Sequence, residues 1–419
     1  MDITLKPHAL CGEINDIIAS KSLAHRAFIC AALADGTTEI ECNSSSKDIE
    51  ATAGVIASLG AKVEKDGNVY KITPIKAIPK NMIQLDFGES GSTMRFVLPI
   101  LGALGAEAEM ITHGRLTTRP LSPLYEELVR GGMALSQQGV CPMYCKGKLG
   151  ITEYTIDGGV SSQFISGLIF ALSVMGGGSV NVTGKLESAS YIDLTLGLLE
   201  KFGIQVARNQ NRFTVLKGKI TSPGKIRIEG DWSNAAFWLA AGALSEEGIT
   251  VSPMELNSSQ GDRAIADILK KFGADVNICG NKITVKKKEL CACTVDAADI
   301  PDLVPVISVI AAASRGSTVI ENTARLRFKE SDRVAAVCEM LGAFGIKTEA
   351  YENSMVIHGG RLTGGKVNSH NDHRIVMSAA VASSVCDGDI TVIDAQAVNK
   401  SYPDFFEVMS MLGGKTQKY

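Results

Sequence analysis

The sequence predicts an α/β chain made of six repeats of a strand–helix–strand–helix–strand–strand unit, and two independent periodic signals predict it. The first is an apolar, alanine-rich run closed by glycine: RAFICAALADG, RFVLPILGALG, FISGLIFALSVMGGG, AAFWLAAGALSEEG, LVPVISVIAAASRG and RIVMSAAVASSVCDG. The closing residues Gly36, Gly105, Gly178, Gly248, Gly316 and Gly388 lie 68 to 73 positions apart. The second is a helix-like stretch ending at Gly60, Gly132, Gly203, Gly273, Gly345 and Gly413, 68 to 72 positions apart. Fixed-period self-similarity governs the fold before any local feature does, and this unit is roughly twice as long as the helical solenoid repeats.

Each element of the unit follows from its residues. The apolar run has no polar face, which marks a helix buried all round. The glycine after it is placed to supply a left-handed cap. Short β-branched segments follow, namely TTEIEC, SVNVTG, ITVSP, STVIEN and DITVID, and read as strands. The second helix is amphipathic, as in DLTLGLLEKFG and DRAIADILKKFG. A strand pair closes the unit; in KVEKDGNVYKITP and DVNICGNKITVK the turns fall at Asp66-Gly67 and Gly280-Asn281. A helix buried on every side needs neighbours, so the units pack around shared interior helices.

A length of 419 residues suits two domains of three repeats each. The formal net charge of −3 argues against a general nucleic-acid binder. No run has the roughly 18 apolar residues of a membrane span, and MDITLKPHALCGEIND lacks the apolar core of a signal peptide. A cytoplasmic protein is expected. The ten cysteines form no disulfide framework and read mainly as buried free thiols in a reducing compartment. Neither Cys141-x3-Cys145 nor Cys291-x-Cys293 has partners at zinc-site spacing, so no metal is expected.

Functional information gathers where the buried helices begin. The six starts carry Lys21-Ser22 with Arg26; Gly88-Glu89-Ser90-Gly91-Ser92-Thr93 with Arg95; Ser161-Ser162-Gln163; Asp231-Trp232-Ser233-Asn234; Ile300-Pro301-Asp302; and Asn371-Asp372-His373-Arg374. Capping explains the hydroxyls and Asp231, and would suit Asp302. It does not explain Lys21, Arg26, Arg95 and Arg374, because the helix dipole disfavours cations there. A bound anion reconciles them, since helix N-termini lined with hydroxyls and cations bind phosphate. Further cations lie in HGRLTTRPL (Arg115, Arg119), in ARLRFKESDRVAAVCEML (Arg325, Arg327, Lys329, Arg333) and at Lys400 in NKSYPDFF. In the second of these, Ser331 or Asp332 is placed to cap a helix. No dinucleotide, P-loop, zincin or nucleophile-elbow motif is present.

The ordered set KSLAHRA, SGSTMR, TTRPL, SSQFISGL, SASYIDLTL, EGDWSNAAFWLAAGA, IPDLVPV, RFKESDR, NDHRIVM and KSYPDFF resembles the 5-enolpyruvylshikimate-3-phosphate synthase family of enolpyruvyl transferases. The resemblance covers nearly the whole chain. It implies transfer of the carboxyvinyl group of phosphoenolpyruvate to the 5-hydroxyl of shikimate 3-phosphate by addition and elimination, with release of phosphate. It implies two similar domains around a central cleft, one at 20–228 and a discontinuous one at 1–19 plus 229–419. It also implies a monomer needing neither metal nor organic cofactor, with no nucleic-acid or membrane partner.

By resemblance, Lys21, Ser22, Arg26, Ser161, Ser162, Gln163, Ser188, Tyr191, Asp302 and Lys329 contact shikimate 3-phosphate. Lys21, Gly91, Arg119, Gln163, Arg333, Arg374 and Lys400 contact phosphoenolpyruvate, and Gly91 borders the space this substrate shares with glyphosate. Asp302 takes the 5-hydroxyl proton, Glu330 protonates the methylene carbon, and Lys21 touches both substrates. The two carboxylates divide acid and base work if Asp302 among cations stays ionised while a desolvated Glu330 keeps its proton. Glu89 and Phe96 depart from the family's Asn and Pro, and Arg325 stands where many members carry Asn. A carboxylate at Glu89 is tolerable if it points away from the anion or pairs with Arg95 or Arg119.

Other readings are weaker. UDP-N-acetylglucosamine enolpyruvyl transferase depends on a loop cysteine that HGRLTTRP lacks. RNA 3′-terminal phosphate cyclase needs a nucleophilic His and a polynucleotide surface. A non-catalytic phospho-ligand binder would have no use for Asp302, Glu330 and Lys400 together.

Overall fold

The computed structural model describes residues 1–418. The chain divides into two compact units: a continuous one, Ala19–Ile228, and a discontinuous one made of Met1–Ile18 and the chain from Glu229 onward. Each has its own hydrophobic core.

The continuous unit holds α1 (Lys21–Leu33), α2 (Lys47–Ser58), α3 (Gly91–Leu104), α4 (Leu124–Arg130), α5 (Ser162–Met175) and α6 (Ala189–Lys201). The discontinuous unit holds α7 (Trp232–Ala243), α8 (Ile265–Phe272), α9 (Val304–Ala313), α10 (Arg333–Ala343), α11 (His373–Ala382) and α12 (Phe405–Met411). The odd-numbered helices are the apolar runs of the sequence, and they are buried over almost their whole surface. They pack on one another inside each unit, α3 against α5 and α9 against α11.

Three four-stranded sheets surround the interior helices of each unit among the described residues. In the sheet of Glu153–Asp157, Gly178–Thr183, Arg212–Val215 and Val206–Asn209, the first two strands are parallel and the rest antiparallel. This is the expected unit, closed by a hairpin. Three sheets complete themselves with a strand from far along the chain. Lys225–Arg227 pairs in parallel with Thr38–Glu41, Gly12–Ile14 pairs in parallel with Ile249–Val251, and Ile3–Lys6 lies between Ile390–Ile393 and Lys415–Lys418. A period in the sequence cannot reveal such exchanges, because every segment still has strand composition.

The two families of glycines have different jobs. Gly60, Gly132, Gly203, Gly273, Gly345 and Gly413 all have φ between 81° and 111°, the left-handed region in which side chains are strained. Of the first family, only Gly105 caps its helix, with φ 69°; α5 is capped by Gly176 rather than Gly178. The helices α1, α7, α9 and α11 end on Ala34, Leu244, Ser314 and Ser383 instead. The glycines beyond them serve the turn into the next strand: a Cβ on Gly248 would stand 2.6 Å from the Val285 carbonyl, and one on Gly388 2.7 Å from that of Thr363.

All ten cysteines are free, but only Cys30, Cys42, Cys145 and Cys386 are buried; Cys141, Cys279 and Cys291 are exposed. The expectation of mainly buried thiols therefore fails, since three more, Cys11, Cys293 and Cys338, are only partly buried. No helix is long and apolar enough to cross a membrane among the described residues.

Candidate active site

In the continuous unit the starts of α1, α3 and α5 gather basic and hydroxyl groups. Ser90 caps α3 by accepting the Thr93 amide, and Ser161 caps α5 by accepting that of Gln163. Lys21 opens α1, and its Nζ lies 2.8 Å from Asp48 Oδ2 in the first turn of α2. Arg26, one turn on, is buried with each of its three nitrogens engaged: Nε to Thr195 Oγ1 at 2.8 Å, Nη1 to the Ser22 carbonyl at 2.6 Å and Nη2 to the Tyr191 carbonyl at 2.9 Å. Burial lowers its pKa to about 10, which leaves it a cation at neutral pH. The guanidinium sits 4.7 Å over the Phe96 ring, which itself meets Phe170 edge-on. Phe96 is therefore the floor beneath Arg26, a role proline at that position could not fill.

Arg95 crosses from α3 to α5. Its Nη1 donates to Gln163 Oε1 at 2.8 Å, while Gln163 Nε2 donates to Ser92 Oγ at 2.8 Å. Arg119 leaves the 3-10 turn Gly114–Thr118 and reaches back to the same helix start. A Cβ on Gly91 would stand 2.8 Å from Arg119 Nη1 and 3.2 Å from Arg95 Nη1. Two guanidinium groups thus converge over a glycine that leaves them room, at a helix N-terminus. That arrangement has the chemistry to hold an anion such as carboxylate or phosphate. Glu89 turns toward Gly114, where an added Cβ would stand 2.5 Å from its Oε2. Ser162 is buried in the first turn of α5, and Ser188, in left-handed conformation with φ 53°, starts α6 three residues before Tyr191.

In the discontinuous unit, Asp302, Lys329, Glu330, Arg333 and Arg374 form one ion-paired cluster. Asp302 is not a helix cap, since α9 begins beyond Leu303. Its carboxylate faces Arg333 Nη1 at 2.6 Å, Arg374 Nη2 at 2.8 Å and Lys329 Nζ at 3.6 Å. Burial pushes its pKa up, but the charges of Arg374, Lys329 and Arg333 outweigh burial and hold it well below the ordinary carboxylate value. Lys329 is lowered to about 8, because burial outweighs the attraction of Asp302.

Arg333 is enclosed by three carboxylates. Besides Asp302, it donates from Nη2 to Glu330 Oε2 at 2.8 Å and from Nε to Asp372 Oδ2 at 2.8 Å. Glu330 therefore has a cationic neighbour, not the apolar surroundings that would keep it protonated. Asp372 also accepts the Arg374 amide at 2.9 Å, capping α11, and the Ser331 hydroxyl at 3.0 Å. At the start of α10 the cap is Asp332. Lys400, at the end of the 3-10 turn Ala395–Lys400, donates to the Asn371 carbonyl at 2.6 Å. Arg325 donates to the Ala298 carbonyl, and its charge also lowers the pKa of Lys329.

Three acidic residues given no role by sequence reasoning stand beside these groups. Asp48 and Asp372 hold Lys21 and Arg333. Asp262 is buried, accepts the Ser233 hydroxyl, and is raised to about 7 by burial and then by the neighbouring Asp302 charge. Asp372 had a visible signal in NDHR, where an Asp precedes a cation at a helix start. Asp48 and Asp262 had none beyond capping composition.

Comparison with known proteins gives a consistent result. The family model described as EPSP synthase (3-phosphoshikimate 1-carboxyvinyltransferase) matches residues 5–409. The 3-phosphoshikimate 1-carboxyvinyltransferase of Clostridium acetobutylicum is 40% identical over 427 residues, covering 100% of this chain and 98% of the relative. The structure of EPSP synthase from Acinetobacter baumannii superposes with a TM-score of 0.81 at 25% identity, each chain covered over 100% of its length. The enolpyruvyl transferase NikO from Streptomyces tendae shares the fold at 16% identity, with a TM-score of 0.79 and coverage of 99% of this chain and 98% of that one.

Proposed function

The chain belongs to the EPSP synthase family and transfers the enolpyruvyl group of phosphoenolpyruvate to shikimate 3-phosphate in the shikimate pathway, and from that premise we propose how its residues divide the work. Ser22, Arg26, Ser161, Ser162, Ser188 and Tyr191 hold shikimate 3-phosphate. Arg119, Arg333, Arg374 and Lys400, with the Gly91 turn, hold phosphoenolpyruvate. Lys21 and Gln163 serve both substrates. Asp302 takes the proton of the 5-hydroxyl as its oxygen bonds to C2 of phosphoenolpyruvate, and Glu330 protonates C3. Loss of the C3 proton with departure of phosphate completes the transfer. Phosphate is the leaving group and no electron sink is required, so the residues need neither metal nor organic cofactor.

The observation that best supports this reading is Asp302 held between Arg374, Arg333 and Lys329. In the free protein the base occupies the cations that the substrate's anions would claim. Binding of phosphoenolpyruvate draws Arg374 away, which raises the basicity of Asp302 when a proton must be taken. Glu330 is ion-paired to Arg333 in the free protein, so it must gain its proton once phosphoenolpyruvate claims that guanidinium.

The protein works in the cytoplasm as a monomer on two small molecules, with no nucleic-acid or membrane partner. The formal net charge of −3 supports the absence of a nucleic-acid partner. The test is phosphate release from phosphoenolpyruvate. It is expected only with shikimate 3-phosphate; release that instead requires UDP-N-acetylglucosamine overturns the assignment.

A further inference from the structure

His25 is a buried titratable residue, 1% exposed, to which neither the substrate contacts nor the acid–base chemistry assigns a role. It lies on α1 between Lys21 and Arg26, one helical turn below Lys21. Its Nδ1 is 2.6 Å from Thr52 Oγ1 on α2. Thr52 Oγ1 is 2.7 Å from Thr93 Oγ1 on α3, and Thr93 Oγ1 is 2.6 Å from Ser90 Oγ, the cap of that helix. All four side chains are at most 1% exposed. Thr52 Oγ1 also lies 3.1 Å from the carbonyl of Asp48, the residue that binds Lys21.

The geometry is that of a ladder. Lys21–Asp48 and His25–Thr52 join the same two helices with the same sequence offset of 27. The lower rung continues to α3 through Thr93, beside Gly91. The protonation state follows from the surroundings. Nε2 is buried and has no hydrogen-bond partner. A proton there would be an unsatisfied donor, so the neutral ring carries its proton on Nδ1 and donates to Thr52. Burial, reinforced by the charges of Lys21 and Arg26, keeps the ring neutral to well below its ordinary range. A third cation is thereby excluded from a helix start that already carries two.

We propose that His25 is a positioning residue: through the buried chain His25–Thr52–Thr93–Ser90 it locks the N-terminal halves of α1, α2 and α3 together and so sets the places of Lys21 and the Gly91 turn. This rests on the reading that Lys21 and Gly91 bind phosphoenolpyruvate. A fully connected hydrogen-bond chain in a dry interior has one low-energy arrangement, whereas apolar side chains of similar volume permit sliding between helices. Small misplacement of substrate-holding groups weakens catalysis out of proportion to any loss of fold.

Steady-state kinetics of Thr52→Val and Thr52→Ser, with wild type in parallel, test the chain. Thr52→Val keeps the shape and removes the hydroxyl, and is expected to raise the KM for phosphoenolpyruvate about tenfold, with a rise in the KM for shikimate 3-phosphate as well, because Lys21 serves both substrates. Thr52→Ser is expected to recover most of that loss. Unchanged constants in Thr52→Val, or equal losses in Val and Ser, overturn the proposal. A double-mutant cycle between His25→Leu and Thr93→Val, residues with no direct hydrogen bond, is expected to show coupling that vanishes when Thr52 is Val; strict additivity overturns it. Nitrogen chemical shifts of the wild-type imidazole need no variant. They are expected to show Nδ1 protonated and Nε2 bare at neutral pH, and the opposite tautomer overturns the chain. A wild type without phosphate release would fail the functional reading, while the imidazole spectrum still decides whether the chain exists.

Discussion

Arg333 and Asp372 form an ion pair, Nε to Oδ2 at 2.8 Å, with side chains 1% and 0% exposed. Buried charges of this kind are tolerable only when every lone pair and proton is engaged. Here Ser331, the Arg374 amide, Asp302 and Glu330 complete the set. Asp372 thereby fixes both the cation behind Asp302 and Glu330 and the helix start that carries Arg374.

Asp372→Asn is expected to destabilise the discontinuous unit by about 3 kcal/mol, the usual penalty for breaking a buried pair, and to lower turnover as well. The charge of Arg333 outweighs burial and holds Asp372 below its free-chain value of 3.8. Its stabilisation is therefore complete above that value and is lost as pH falls through the lower folded value. Denaturant melts across the acid range should show the wild-type and Asn curves converging. Parallel curves would assign the pair no net stability.

Asp302→Asn is expected to lose roughly 100- to 10,000-fold in turnover, the range for a general base, while shikimate 3-phosphate binds nearly normally. The free-state pairing adds a second expectation. Without its negative charge, residue 302 no longer competes for Arg374 and Arg333, so phosphoenolpyruvate should bind more tightly to this variant. Calorimetry of each substrate, beside single-turnover kinetics, checks both; near-native turnover would remove Asp302 from the base role.

Lys329 is lowered to about 8. It is a cation below that value and neutral above it, so kcat/KM should fall as pH rises through about 8. Substrate anions strengthen the charged form, and the corresponding limb of kcat should lie at higher pH. Lys329→Arg keeps its charge and should shift the kcat/KM limb upward. A limb that stays in place would belong to another group.

Gly91→Ala inserts a methyl group where Arg119 Nη1 lies 2.8 Å away. Both guanidinium groups must retreat, so the KM for phosphoenolpyruvate should rise. Glyphosate, the longer ligand of the two in this family, should lose more. Inhibition constants measured beside KM decide it; an equal loss for both would place the effect on the arginines alone.

The repeat, the buried helices and the six glycine-ended second helices were legible because each is a local pattern with a period. The basic helix starts were legible because cations there oppose the dipole. What the residues alone did not reveal depends on distant neighbours. The surroundings of Glu330 are set by Arg333, three positions along but committed also to Asp302 and Asp372. The floor under Arg26 is Phe96, a substitution that looked like a simple departure until the ring was seen beneath the guanidinium. Asp48 and Asp262 resembled ordinary helix-start acids, and only packing gave them partners. The three exchanged strands were invisible for a similar reason, since pairing is a property of two segments.

The strand Ile3–Lys6 has hydrogen-bonding neighbours on both sides, Ile390–Ile393 and Lys415–Lys418. Its partners are the last parts of the described chain to leave a ribosome, whereas Ala19–Ile228 has by then been available in full for nearly two hundred residues. Units fold as their chain emerges, so the continuous unit can mature alone while the opening strand waits unpaired. A nascent chain halted before residue 390 would combine a finished half with an unfinished one, two unpaired strand edges exposed. Such edges recruit other chains, and that interval of synthesis is where this protein most needs protection from aggregation.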